Sequence, residues 1–197
     1  MSDRPHICVF CGSQRGAHPA YTEAARGVGE ALARNGLGLV YGGGSIGLMG
    51  VLADAALAAG GRVVGVIPDP LALKEIAHHG LTELHVVSGM HERKAMMARL
   101  SAGFLTLPGG VGTFEEFFEI LSWAVLGLHS KPMGILNVEH YFDPILNLLD
   151  HAVAARFVRP EHLDLLLVSD NPESIATSLL SYVPPAPGPK WLDLEHG

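Results

Sequence analysis

Two short stretches carry the side chains best suited to chemistry on a phosphorylated ligand. Pro108-Gly109-Gly110-Val111-Gly112-Thr113-Phe114-Glu115-Glu116 sets glycines, a hydroxyl and carboxylates close together. The glycines free the backbone to turn sharply and aim N–H groups inward. Thr113 then opens a helix, expected over Phe114–Leu126, whose first amides and dipole favour an anion. A phosphate there accepts hydrogen bonds from the amides of Gly110, Val111, Gly112 and Thr113 and from the Thr113 hydroxyl. Glu116 follows by one turn, where a fixed carboxylate can stabilise developing positive charge. The same spacing is also a capping box, Thr113-x-x-Glu116, in which the carboxylate only accepts from the N-cap amide. Both readings stand at this point, and Glu115 and Glu119 also suit a solvated helix face.

The second stretch is Met90-His91-Glu92-Arg93-Lys94, at the start of a helix expected over Met90–Ser101. Arg93 offers a planar bidentate fork and Lys94 a point charge, and together they can neutralise a phosphate. A solvated face is the alternative, and it suits His91 and Glu92. Cations in a first helical turn run against the dipole, which points Arg93 toward a ligand.

Other patterns are weaker. Gly42-Gly43-Gly44-Ser45-Ile46-Gly47 fits G-x-G-x-x-G between a strand and a helix, the form of a dinucleotide loop. A glycine-rich run matches that pattern easily, and Asp69 is only a partial acidic partner. A tight strand-to-helix turn competes. Cys8 and Cys11 are spaced C-x-x-C, yet Cys8 lies in the apolar run His6–Phe10 and no second pair exists. Small buried residues fit better than a redox or zinc pair. The 11 histidines lack ligand spacing, so no structural metal is expected.

These residues need a scaffold. Apolar runs at Ile7–Phe10, Leu37–Tyr41, Arg62–Ile67, Leu84–Val87, Phe104–Leu107, Pro132–Asn137 and Leu165–Val168 alternate with helical stretches. Strands apolar on both faces imply a parallel sheet covered by helices on both sides, with ligands beyond the strands' carboxyl ends. The expectation is a single Rossmann-like α/β domain over residues 1–183 with a Pro-rich tail over 184–197. Asn35-Gly36 reads as a helix C-cap, and Pro68–Gly80 as a loop with a short helix. With 48% apolar and 17% charged residues, the 197-residue chain is long enough for a sizeable core and poor in disorder signals. A formal net charge of −7 argues against a general nucleic-acid binder. No apolar run approaches a membrane span, and Met1–Pro5 lacks the start of a secretory signal, so a cytoplasmic protein is expected.

Read in order, Val9-Phe10-Cys11-Gly12-Ser13, Tyr41-Gly42-Gly43-Gly44 running into Gly47-Leu48-Met49-Gly50, Met90–Lys94 and Pro108–Glu116 resemble the signature blocks of the LONELY GUY (LOG) family. These are cytokinin riboside 5′-monophosphate phosphoribohydrolases, many of whose relatives carry the label "possible lysine decarboxylase". The resemblance implies a Rossmann-like homodimer with active sites near the subunit interface. It implies hydrolysis of a nucleoside 5′-monophosphate, such as AMP or an N6-modified AMP, to free base and ribose 5-phosphate, without cofactor or metal. Arg93 and Glu116 match the family's catalytic residues, Lys94 its neighbouring cation and Gly109–Thr113 its phosphate loop. Gly12, Ser13, Gly43, Gly44, His79 and Met90 are the further expected ligand contacts. His79 stands where plant members place an acidic residue, which bears on base preference.

Rival classes remain. A nucleotide or molybdenum-cofactor carrier of this fold needs the same glycine loops but not Arg93 and Glu116 together. A nicotinamide oxidoreductase rests on G-x-G-x-x-G alone. A lysine decarboxylase needs pyridoxal phosphate on a Schiff-base lysine, and the few lysines offer no convincing anchor.

Overall fold

A computed structural model describes residues 4–69 and 77–184. The elements run β1 (His6–Phe10), α1 (Pro19–Arg34), β2 (Gly38–Tyr41), α2 (Gly47–Ala58), β3 (Val63–Pro68), β4 (Glu83–Val87), α3 (Met90–Leu100), β5 (Gly103–Thr106) and α4 (Val111–Val125). They continue with β6 (Met133–Leu136), a 3-10 turn (Val138–His140), α5 (Asp143–Ala154), α6 (Pro160–Leu163), β7 (Leu166–Ser169) and α7 (Pro172–Ser181). The strand-helix alternation read from the sequence is therefore present. Residues 70–76, within the Pro68–Gly80 stretch expected to be a loop with a short helix, and nearly all of the Pro-rich tail lie outside the described residues.

Seven strands form one sheet in the order β4-β3-β2-β1-β5-β6-β7, every pair parallel. Side chains alternate across β1. Ile7, Val9 and Cys11 join the core under α1, α2 and α7, whereas Cys8 and Phe10 join the one under α3, α4 and α5. Both thiols are free and buried, so the C-x-x-C spacing marks two packed residues pointing to opposite faces. Burial pushes both thiols well above their ordinary ionisation range.

Local signals explain the helix ends. Pro19 starts α1, with the His18 side chain accepting from the Ala20 amide. Asn35 caps its far end through Nδ2 to the Ala31 carbonyl, and Gly36 takes the left-handed φ of 71° that ends the helix. Where α1 meets α2, Gly29 permits close approach: a Cβ there would lie 2.5 Å from the Leu52 carbonyl oxygen.

The chain builds the sheet outward from β1 to β4, then returns to place β5 on the other side of β1. That reversal between β1 and β5 is the topological switch point, where the following loops diverge and leave a crevice. Among the described residues, no helix is long and apolar enough to cross a membrane.

Candidate active site

The crevice at the switch point is a cleft of about 280 Å3. Gly12 and Ser13 reach it from the loop after β1, Gly42 from the end of β2, and Gly110–Thr113 from the start of α4. Met90, Arg93 and Met97 come from α3, and Glu115 and Glu116 from α4.

Close backbone contacts hold the two loops together. The Gly12 amide donates to the Pro108 carbonyl at 3.0 Å. A Cβ on Gly109 would stand 2.1 Å from Thr113 Oγ1 and 2.8 Å from the Gly12 nitrogen, so only glycine fits that corner. Helix α4 begins at Val111, with Gly110 at the N-cap and no side chain capping it. The expected start at Thr113 is thus too late. Thr113 lies inside the first turn, buried, and Glu116 sits too deep in the helix to close a capping box. That structural alternative for Glu116 is removed, and the first-turn amides of α4 have no side chain over them.

Glu116 accepts no hydrogen bond from any described residue. Burial pushes its carboxyl up to about 7; the nearby Arg93 charge opposes the shift, while Glu115 adds to it. Arg93 is held from behind: Nε donates to the Val66 carbonyl at 3.1 Å, and Nη1 lies 3.7 Å from the Met90 sulfur. The cleft thus sets a cation and a half-buried carboxyl on neighbouring helices beside uncapped amides. Such a set can bind an anion and stabilise positive charge a few ångströms away.

The structure brings Gly12, Ser13, Met90, Arg93, Gly110, Val111, Gly112, Thr113 and Glu116 to one cleft. Gly109 lies just behind it. Lys94 does not line the cleft; its ammonium is held by the Glu115 carboxylate and, at 3.0 Å, by Glu119, and these partners raise its pKa against burial. His79 is exposed in a turn away from the cleft.

In the G-x-G-x-x-G run, Gly42 lines the cleft and the later glycines make close backbone contacts. Leu48 N–H at the start of α2 donates to the Gly12 carbonyl at 3.1 Å, and Gly47, at φ 65°, lies against Ser13, with 2.3 Å from a Cβ to its carbonyl oxygen. Gly43 and Gly44 do not line the cleft. The Gly43 carbonyl accepts from the His78 amide at 2.9 Å, and the Gly44 carbonyl accepts from the Tyr41 hydroxyl at 3.1 Å.

Sequence reasoning missed Phe10, Cys11, Met49 and Met97 as cleft-lining residues, because each also reads as core. It also left Gly42 as one member of a glycine run. Among the described residues, no group of three or more His, Cys, Asp or Glu side chains could hold a metal ion.

Switch-point cleft and parallel sheet place the chain among Rossmann-like α/β proteins, and solved structures of similar fold agree. The molybdenum cofactor carrier protein from Chlamydomonas reinhardtii superposes with a TM-score of 0.68 at 24% identity, covering 91% of this chain and 99% of that one. A molybdenum cofactor binding protein from Rippkaea orientalis gives 0.68 at 21% identity over 92% and 100%. At such identity the likeness concerns the fold alone.

Sequence relatives are closer. A family described as "possible lysine decarboxylase" matches residues 49–179. The cytokinin riboside 5′-monophosphate phosphoribohydrolase of Rhodococcoides fascians is 51% identical over 89% of this chain and 89% of its own length. The LOG enzyme of Oryza sativa subsp. japonica is 44% identical over 90% of this chain and 74% of its own. The chain belongs to the LOG family and is a phosphoribohydrolase.

Proposed function

We propose that this enzyme hydrolyses the N-glycosidic bond of adenosine 5′-monophosphate or its N6-modified forms, giving free base and D-ribose 5-phosphate. The carrying observation is Glu116, which faces the cleft without a hydrogen-bond partner among the described residues, one turn past the uncapped amides of α4. The names of the relatives support the substrate class.

In this reading the phosphate binds the amides of Gly110–Thr113 and the Thr113 hydroxyl, with Gly12 and Ser13 closing the other side. As the bond from C1′ to the base nitrogen breaks, the ribose becomes oxocarbenium-like. Ionised Glu116 stabilises that charge and orients a water, whose hydroxyl adds to C1′ while its proton balances the departing base. Arg93 holds the ribose phosphate in line, and the grip on the phosphate positions the reacting bond. Met90, Met49 and Met97 supply an apolar, adaptable wall for the base. No cofactor or metal takes part.

We also propose a homodimer. Leu126 and Leu128, just beyond α4, are 62% and 69% exposed, and Val111 at the cleft rim is 82% exposed. Apolar exposure at both ends of α4, beside the cleft at Val111 and past the far end at Leu126 and Leu128, suits a subunit contact along this helix. Light scattering on the purified chain tests it, and a monomeric mass defeats it.

The test of function is incubation with AMP and with N6-isopentenyl-AMP, following base and ribose 5-phosphate by chromatography. Release that Glu116→Ala abolishes is expected, and the ratio of rates reports base preference. Binding without release would make the protein a nucleotide carrier instead.

A further inference from the structure

The loop that the proposed function assigns to the phosphate is held from behind by a residue far away in sequence. Tyr141, after the 3-10 turn, donates its hydroxyl hydrogen bond to the Gly109 carbonyl. The peptide joining Gly109 to Gly110 is trans, like every peptide bond described, so its C=O and N–H point in opposite directions. Fixing the carbonyl on Tyr141 therefore turns the Gly110 N–H the other way. Gly110 lines the cleft and Gly109 does not, so that other way is the cleft side. The Gly110 N–H makes no hydrogen bond to any described residue.

The surroundings of Tyr141 show the same purpose. Its ring stacks with Phe114 of α4 at 6.4 Å and meets Tyr21 of α1 edge-on at 5.6 Å. Just before it, Glu139 and His140 take positive φ angles of 53° and 55°, a conformation that costs non-glycine residues about 1 kcal/mol or more each. Asn137, before the turn, bridges it to the residues that follow. Its Nδ2 donates to Asp143 at 2.7 Å and its Oδ1 accepts from the Phe142 amide at 2.7 Å. A strained turn thus directly precedes the tyrosine whose hydroxyl meets the loop carbonyl.

We propose that Tyr141 is a positioning residue for phosphate recognition: its hydroxyl sets the Gly109–Gly110 peptide so that the Gly110 amide faces the ligand phosphate. Tyr141 touches no reacting atom. Its effect belongs to binding of the phosphate end of any ligand, and not to the base or the chemical step. The inference rests on the proposed function, since it needs the phosphate at α4.

The test uses Tyr141→Phe, which removes the hydroxyl and keeps the ring contacts. Calorimetry measures ribose 5-phosphate, AMP and adenosine binding to the full-length wild type and variant, and kinetics give KM and kcat for AMP. Losing one oriented hydrogen bond weakens phosphate-bearing ligands by about five- to tenfold. The expected result is that loss for ribose 5-phosphate and AMP, an equal rise in KM, unchanged adenosine affinity and kcat within about twofold. Equal affinities in wild type and variant overturn the positioning role while leaving the function intact. A parallel loss of adenosine affinity also overturns it, because the hydroxyl would then be serving the fold of the whole cleft. A wild type that binds neither ribose 5-phosphate nor AMP sinks the proposed function, and this inference with it.

Discussion

The guanidinium of Arg93 occupies the space where Gly42 has no side chain: a Cβ on Gly42 would stand 1.9 Å from Nη2. Gly42 directly follows β2, while Arg93 belongs to α3, reached after two further strands. Gly42 has no positive φ, so its glycine serves space and not backbone conformation. Gly42→Ala therefore forces Arg93 out of its position, while the long arginine side chain can yield without unfolding the protein. The expected outcome is a near-normal melting temperature with turnover lowered by about a hundredfold, matching Arg93→Ala. Full activity in a folded Gly42→Ala protein would show that the seat of Arg93 is not needed.

How much of this was visible beforehand follows from the range over which each signal acts. The sheet, the switch point and the α4 loop were legible because apolar runs, glycines and helix signals are local. The start of α4 was misread because Thr113 resembles an N-cap residue, whereas the turn is closed by Gly110 and by Gly109 packing on Thr113. Tyr141 left no signal: its bond to Gly109 spans 32 residues and depends on a strained turn. The carboxylate partners of Lys94 carry no local signal, because Glu115 and Glu119 lie 21 and 25 residues away and meet it only after α3 and α4 pack. The glycine run before α2 divides its work: Gly42 lines the cleft and leaves room for Arg93, whereas Gly47 packs against Ser13.

Glu116 predicts how stability depends on pH. Its carboxyl is pushed from 4.5 up to about 7, so between those values the folded state holds a proton that the unfolded state has released. Stability then falls as pH rises from about 4.5 to about 7 and levels off above, the full contribution being present only at the acid end. Glu116→Gln keeps the shape and removes the charge. Its melting temperature should equal that of wild type near pH 5 and exceed it at pH 8, by about 2–4 °C for each kcal/mol recovered. Turnover should be lost at both values, since the uncharged amide cannot stabilise an oxocarbenium ion. Thermal melts of both proteins across pH 5–8 give the difference curve, and a flat one would mean that Glu116 ionises normally. In the wild type, kcat/KM should rise with pH through about 7, because the anion is the working form.

Lys94 offers the last separation of structure from function. Its side chain is 11% exposed, and its ammonium bridges α3 to Glu115 and Glu119 on α4, the helix that presents Glu116. Glu115 is half exposed, so the network is weaker than a fully buried pair and stronger than a surface one, worth about 1–2 kcal/mol. Lys94→Ala should lower the melting temperature by about 2–8 °C. Adding Glu119→Ala should cost less than the sum of the single changes, because the second carboxylate has already lost its partner. If Lys94 mainly joins the helices, KM for AMP should rise less in Lys94→Ala than in Arg93→Ala, and kcat should fall with the shift of α4. A large KM rise without any loss of stability would instead mean that Lys94 leaves its carboxylates and moves to the phosphate when substrate binds.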